Sequence, residues 1–551
     1  MKILWLDLNC SYAHSSLALP ALHAQVMHRA DVEWRVVRTT SGEAVGAAVD
    51  AIYAQRPDVV AATAWLFTHE HLLHIISRLK ALLPQTVVIL GGPEFLGDNE
   101  EYLRHHDEVD CLLRGEGEES FVRWLEVWDT PARWTDIEGM CYIYNGKYHD
   151  NGHARVMDFA ALHTPEESTL FTWSKPFVQV ETTRGCFNTC AFCVSGMGDP
   201  VRQLPLELIR RRLDNIRDRG IRDVRVLDRT FNFHSRHAID LLNLFAEYHP
   251  HLRFHLEIHP ALLSQGVRDV LREMPDGLLH LEAGIQSLRQ EVLDKSLRKG
   301  TLEQALDGLR FLCSLPNLVT HADLIAGLPL YTLEQIYEDV HKLAEYRAGE
   351  IQLESLKLLP GTMMRRDAAM LGIRYSPLPP YEVLETDAIT SNELQVARRL
   401  SRLLDAYYNT DAWQQITRRL ILEEKDFLCS FLDYLTQHNH IDQPMSLERR
   451  GELLYLFCCE HYPSHLTDVT VAWIEAGMSL KKRPAEGVRT KHVYPNKEWV
   501  IVRGVYSEDL KLCYLPIGVK EQGYWFGYDT TTQCPTPVFK AVMGPLPNSP
   551  K

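Results

Sequence analysis

"ETTRGCFNTCAFCVSG", residues 181–196, places Cys186, Cys190 and Cys193 within eight residues, at spacings of four and three. Three thiols are an awkward number. Disulfides need pairs, and a structural zinc takes four ligands, so zinc here would require a fourth donor from elsewhere in the chain. Three thiolates on one loop can instead hold three irons of a cubane cluster and leave the fourth iron without a protein ligand. An open coordination position is where a metal centre does chemistry. Gly185 allows the backbone to come close at the start of the loop.

The loop follows the first of six strand-like runs: "FVQVETT" (177–183), "DVRVLDRT" (223–230), "RFHLEIH" (253–259), "LLHLEAGIQ" (278–286), "VTHADLIAG" (319–327) and "EIQLESLKLL" (350–359). Helical patterns such as "HAIDLLNLFAEYH" (237–249) separate them, so six βα units are expected, forming a partial barrel that works at the carboxyl ends of its strands. Residues 1–130 alternate in the same way, with apolar runs at 2–8, 33–39, 58–65, 86–92 and 110–115. That pattern implies a parallel sheet covered on both faces, with ligands beyond its strand ends. Asn145-Gly146 in "MCYIYNGKYHDNG" signals a hairpin. From about 385 the pattern turns helical, and aromatic alternation returns in "EWVIVRGVY" and "GYWFGYD". The fold class expected is α/β: a Rossmann-like domain (1–135), a hairpin linker (136–175), a partial (β/α)6 barrel (176–385), and a mostly helical C-terminal domain with a small β tail (386–551).

The 551 residues carry a net charge of −15 and a pI of about 5.9. Without a long basic stripe, this argues against nucleic acid as the main partner. The sequence contains no run of about 18 apolar residues, which argues against a membrane partner. Twelve cysteines in a chain this long suit a reducing cytoplasm better than a disulfide scaffold. The scattered ones, Cys458 and Cys459 included, read as buried small hydrophobes.

Cys186-x3-Cys190-x2-Cys193 resembles the signature of the radical S-adenosylmethionine (SAM) superfamily, and the resemblance spans about 176–385. It implies a catalytic 4Fe-4S cluster on Cys186, Cys190 and Cys193, with SAM at the open iron. Phe192 matches the aromatic position that the family places near adenine. Asp228 and Asn232 ("LDRTFNF"), Glu257 ("HLEIHP"), and Glu282, Gln286 and Ser287 ("EAGIQS") stand at successive strand ends as SAM contacts. An ion pair inside the barrel is an equal reading for Glu257 and Glu282.

The first domain lacks GxGxxG after its first strand, which argues against NAD or FAD. With "GGPEF" after strand four and "RGEGEESF" after strand five, it resembles the cobalamin-binding domain of one radical SAM branch. The resemblance implies cobalamin contacts at Ser11, His14 and Ser15, at Trp65 and Phe67, at Gly91, Gly92, Pro93 and Glu94, and at Gly115, Glu116 and Gly117. The glycines leave room for a flat ligand against the backbone, and Glu118 reads as a helix cap. Asp-x-His-x-x-Gly is absent. His69, His71 and His74 open an amphipathic helix and read as solvated or capping residues. Trp65 or Phe67 is expected to face the corrin.

Over the whole chain, the sequence is similar to the cobalamin-dependent radical SAM proteins of the class B methylase kind that carry an uncharacterised helical C-terminal extension. The expected cofactors are a 4Fe-4S cluster, S-adenosyl-L-methionine and cobalamin. The expected partners are a small-molecule or peptide substrate and a low-potential electron donor of flavodoxin or ferredoxin type. The implied activity is methylation of an unactivated carbon, or of phosphorus, using methylcobalamin and a 5′-deoxyadenosyl radical. Alternatives are a radical rearrangement, oxidation or cyclisation without methyl transfer, methylthio transfer to RNA or protein, and a non-catalytic cobalamin or redox sensor. Acidic charge and the lack of a second cysteine trio weigh against methylthio transfer.

Overall fold

The computed structural model describes residues 1–11, 13, 16–196 and 200–478, and the strand segments 491–493, 510–516, 522–529 and 542–545. The expected contacts His14 and Ser15 lie outside the described residues. The chain divides into two compact units, Met1–Thr332 with Ser355–Leu394, and Leu333–Glu354 with Gln395–Lys551.

The first unit begins with a seven-stranded sheet of order β2-β1-β3-β4-β5-β6-β7. Its parallel strands are β1 (Lys2–Asn9), β2 (Glu33–Thr40), β3 (Val59–Thr63), β4 (Val87–Gly91) and β5 (Cys111–Leu113). The central strands β1 and β3 are apolar on both faces because helices cover both. Leu4, Leu6, Val60 and Ala62 point into one core with Ile52, Ile76 and Leu79. Ile3, Trp5, Val59 and Ala61 point into the other with Phe121 and Trp124. These helices are α1 (Ala18–Val26), α2 (Val45–Gln55), α3 (His69–Leu82), α4 (Glu100–His105) and α5 (Glu118–Leu125).

The expected hairpin is present as β6 (Met140–Tyr144) and β7 (Lys147–Asp150), with Asn145 at φ 50° and Gly146 at φ 76°. Both turn residues are left-handed, as a tight hairpin requires. The hairpin adds two antiparallel strands to the edge of the first sheet.

The barrel strands in this unit are β8 (Phe177–Val180), β11 (Asp223–Val226), β12 (Arg253–Ile258), β13 (Leu279–Gln286) and β14 (Val319–Ala326), and each pairs in parallel with its neighbour. Between β8 and β11 come two short antiparallel pieces, β9 (Thr183–Arg184) and β10 (Arg202–Gln203). Strict alternation sorts the side chains: Leu279, Leu281, Ala283 and Ile285 are buried outward, while His280, Glu282 and Gln286 face the lumen half-buried. The barrel helices here are α6 (Leu206–Asp218), α7 (Ser235–Ala246), α8 (Gln265–Arg272), α9 (Gln290–Lys295), α10 (Leu302–Cys313) and, further on, α12 (Met363–Arg366). Thr301 caps α10 with a complete capping box to Gln304.

The second unit holds α11 (Leu333–Glu345), the helix of the fifth βα unit, and β15 (Glu350–Ser355), the sixth barrel strand along the chain, and the division between units passes through β15. From Gln395 onward it is helical, with α13 (Ser391–Leu403) continuing through one π-turn at 404–408 into α14 (Asp411–Glu423), α15 (Phe427–Gln437), α16 (Leu447–His461) and α17 (Leu466–Glu475). Asn409, just past the π-turn, exchanges two 2.9 Å bonds with the backbone of Ile351. Cys458 lies in this core. Cys459, expected beside it, is exposed, because consecutive helical residues face about 100° apart. No described helix is long and apolar enough to cross a membrane.

Candidate functional site: the cysteine loop and the facing strand ends

Asp228 anchors the cysteine loop. One carboxylate oxygen accepts from the backbone N–H groups of Thr182 (2.7 Å) and Thr183 (2.8 Å), and the other accepts from the Thr182 hydroxyl. Burial raises its pKa to about 6, and those bonds pull against the rise. The sequence suggests Asp228 as a SAM contact, but the structure turns its carboxyl toward the strand that launches the loop. Asn232 is similarly engaged, trading bonds of 2.9 and 2.8 Å with the backbone of His259.

This geometry makes a contrast testable. Asp228→Ala strands two buried N–H donors and is expected to cost about 3 kcal/mol in chemical denaturation, whereas Asp228→Asn retains an acceptor and costs about 1. The folded state holds this proton more tightly than the unfolded state does. The stabilisation is therefore full below the ordinary 3.8 and fades as pH rises through about 6. Asp228→Asn should flatten that slope.

Gly185, at φ 99°, opens the loop. Cys193 N–H donates to the Cys190 carbonyl at 3.1 Å, and Gly196 N–H donates to the Cys193 carbonyl at 3.0 Å. Cys186 and Cys190 are buried, and Cys193 and Phe192 are half-buried. A second segment, 296–299, braces the loop. Ser296 O accepts from Ala191 N–H (2.9 Å), Lys299 N–H donates to Asn188 Oδ1 (3.0 Å), and Lys299 Nζ donates to Phe187 O (2.7 Å).

Arg298, in that segment, reaches into the lumen. Its guanidinium is 3.6 Å from Cys190 Sγ and donates to Gly284 O at 2.5 Å. Sequence reading missed it, since "SLRKG" carries no motif. No local signal marks it, because Arg298 stands beyond α9, well past the strand-end Gln286-Ser287. Gln286 sits at a β-bulge with φ 71°, a rare conformation for a residue with a side chain, and its amide folds over Gly284. Ser287 is buried, with Oγ accepting from Arg289 N–H at 3.2 Å.

Below these residues Asp323 is level with Gly284, Glu257 and Glu282 are level with His321, and His255 and His280 lie one layer further down. Burial pushes Glu257 up to about 7 against the pull of Arg229, which lies 3.5 Å away. Burial also works against ionised Glu282, but the bond from His255 (3.0 Å) and the nearby His321 hold it below the usual carboxylate range. Asp323 is held above that range by burial, despite His321 at 2.8 Å. Like charges this close separate into one ionised and one protonated carboxyl.

In the first domain, Trp65 (41% exposed) and Phe67 (58% exposed) stand at the end of β3. Lys357 Nζ, from the barrel's last loop, lies 5.8 Å from the Phe67 ring centroid. Ser11 is exposed at the end of β1. Other expected contacts have close protein neighbours. Gly91 lies in ordinary contact with the Leu113 carbonyl. At Gly92, after which the turn Pro93–Phe95 begins, a Cβ would sit 2.7 Å from Ala64 O. At Gly115 a Cβ would strike the backbone of Ala154, and both glycines have positive φ. Gly117 packs on Leu113 and Leu22.

Glu94 is buried, which raises its pKa, and accepts from the Tyr381 hydroxyl at 2.7 Å. Glu116 accepts from both Arg202 nitrogens (2.9 and 2.5 Å) and from Val156 N–H (2.8 Å). Arg184, two residues before Cys186, bridges Glu181 (2.7 Å), Glu118 (3.0 Å) and Glu116 (3.5 Å). Glu118, read as a cap, is thus also an ion-pair partner. His69 is buried, its ring bonded to Tyr102 Oη at 2.9 Å and its pKa lowered by burial to about 4, while His74 is exposed.

The two strand-end faces meet. Gly97, just after the turn at Pro93–Phe95, packs backbone to backbone on Gly361, where a Cβ would lie 3.0 Å from the facing nitrogen. From the same barrel segment, Met364 N–H donates to Ala191 O at 2.9 Å, between two of the cysteines.

Three family models match the chain: the Radical SAM superfamily over residues 180–343, the B12 binding domain over 11–125, and a protein of unknown function (DUF4080) over 370–472. An uncharacterised methyltransferase of Pyrococcus horikoshii is 23% identical over 319 residues, 56% of this chain and 68% of that protein. The cobalamin-dependent radical SAM methyltransferase TokK of Streptomyces tokunonensis is 23% identical over 332 residues, 55% of this chain and 47% of TokK. The match thus spans about half the length of TokK. The solved structure of the cobalamin-dependent S-adenosylmethionine radical enzyme OxsB, with aqua-cobalamin and S-adenosylmethionine bound, aligns at a TM-score of 0.61 and 13% identity, covering 86% of this chain and 78% of that one.

The residues present fit the groups these families carry. Three free thiols share one loop, and a Cβ on Gly196 would collide with the Cys190 carbonyl, so the loop's tight closure depends on that glycine. Exposed aromatic faces stand at the strand end where a corrin would lie. A 4Fe-4S cluster, S-adenosyl-L-methionine and cobalamin are accordingly the cofactors, and the chain carries the radical SAM and B12-binding domains that the cobalamin-dependent radical SAM proteins combine.

Proposed function

We propose that the protein is a methyltransferase acting on an unactivated carbon, or on phosphorus, of a small molecule or peptide. One observation carries this reading: a single segment, 357–366, touches both the aromatic strand end of the first domain and the cysteine loop. Groups held at the two places would be neighbours across that one segment, as joint use of both cofactors on one substrate requires. When bound, those cofactors supply a 5′-deoxyadenosyl radical and a transferable methyl group.

The chain's own residues hold and orient. Cys186, Cys190 and Cys193 bind the cluster. Arg298 and Gln286 face the position beside it, where Arg298 suits a carboxylate. Glu257 and Glu282 offer acceptors for an ammonium or hydroxyls, and Phe192 a flat apolar wall. Trp65 and Phe67 shield the face of the corrin and Ser11 reaches its edge. A reductant is required, and a low-potential flavodoxin or ferredoxin suits that role.

Reconstituted protein given SAM, cobalamin and a reductant should form S-adenosylhomocysteine and 5′-deoxyadenosine together, with a methylated product. Deoxyadenosine without S-adenosylhomocysteine would favour rearrangement, oxidation or cyclisation, and neither product would favour a sensor. The double variant Trp65→Ala, Phe67→Ala should weaken hydroxocobalamin binding about tenfold or more in equilibrium dialysis, from lost aromatic contact area. Unchanged affinity would remove these residues from the cobalamin site.

A further inference from the structure

Resting on the cluster assignment above, we propose that the outer side of 294–300 is the docking surface for an acidic, low-potential one-electron carrier protein. Although the chain has a net charge of −15, Lys295 and Lys299 are exposed here and form no ion pair with a carboxylate among the described residues. Opposing them locally are Glu291 and Asp294, the latter bonded to the Gln290 amide at 2.7 Å. Between the lysines, Leu297 is 49% exposed and adopts φ 55°. A leucine gains nothing from solvent and is disfavoured in that backbone region, so its presence points to a use at the surface.

Location supplies the use. Leu297 O accepts from the Thr189 hydroxyl at 3.3 Å, Ser296 O accepts from Ala191 N–H, and Lys299 Nζ bonds Phe187 O. Phe187, Thr189 and Ala191 lie between the cysteines, so a protein seated on Leu297 lies one hydrogen bond from the cluster loop. An apolar knob flanked by cations complements an acidic face with an exposed redox group, and redox encounters need only small interfaces. The carrier loses one electron, the cluster gains it, and no bond or proton changes hands.

The test uses the reconstituted full-length protein and a reduced bacterial flavodoxin. Stopped-flow spectroscopy follows flavodoxin oxidation, and calorimetry measures binding. Lys295→Glu should slow transfer about tenfold at low salt, with the difference vanishing near 0.5 M salt. Leu297→Asn suits the left-handed backbone better, so it preserves the fold, yet it should weaken flavodoxin binding several-fold. Reduction by titanium(III) citrate should stay unchanged in both variants. Flavodoxin rates and affinities equal to wild type in both variants would overturn the proposal, as would equal losses with titanium(III) citrate. A wild-type protein that titanium(III) citrate cannot reduce would instead sink the cluster assignment, and the docking surface with it.

Discussion

Cys186→Ala protein, reconstituted without oxygen, is expected to lose 5′-deoxyadenosine formation by at least ~10³-fold while keeping its fold. The thiol is buried, 3.8 Å from the Thr230 hydroxyl, so alanine leaves only a small cavity, and near-wild-type circular dichroism is expected. What disappears is one of the three proposed iron ligands, on a loop that offers no replacement. Iron and sulfide analysis, the visible absorption of the cluster, and chromatographic assay of deoxyadenosine measure the effect. Persistent deoxyadenosine at wild-type rate would refute the ligand assignment. Cys190→Ala should behave alike, since its thiol faces Arg298 across 3.6 Å.

The largest stability effect is expected at Arg184. Its guanidinium serves Glu181, Glu118 and Glu116, and its side chain is only 17% exposed. Arg184→Ala leaves three carboxylates crowded without that cation and is expected to cost about 3–5 kcal/mol. Arg184→Lys keeps the charge but loses the fork and should recover only part of it. Because the chain has two compact units, the measurement is the first transition in urea, followed by tryptophan fluorescence rather than as a single global midpoint. The paired acid Glu116 lies below the ordinary carboxylate range: burial works against its ionisation, but Arg202 and Arg184 outweigh it. The stability it contributes is present at neutral pH and lost as pH falls through its folded value. The wild-type first transition should therefore weaken on acidification, and Arg184→Ala should remove only part of that dependence, because Arg202 still holds Glu116.

What the sequence disclosed follows from locality. The cysteine loop occupies eight residues, and strand alternation and the Asn145-Gly146 turn are also short-range signals, so they were legible. Side-chain destinations were less so. Glu94 belongs to "GGPEF", but its partner Tyr381 lies 287 residues away. Glu116 belongs to "RGEGEESF", but Arg202 lies 86 residues away. Neither spacing signals a contact, and both acids look like ligand donors until the barrel arrives beside them. Asp228 differs: a polar residue at a strand end suits a cofactor, and its bonds to two neighbouring backbone N–H groups depend on a loop path that residue type does not disclose. Arg298 was invisible because its role depends on the bulge at Gln286 and the left-handed Leu297, and backbone conformation of that kind leaves no residue-type signature.

The Gly97–Gly361 contact has a mechanical consequence. With hydrogens as the only substituents at that point, no rotamer change can widen or narrow the seam. At Gly361 an added Cβ would come within 2.7 Å of the Leu96 carbonyl, so any side chain there has to part the two backbones.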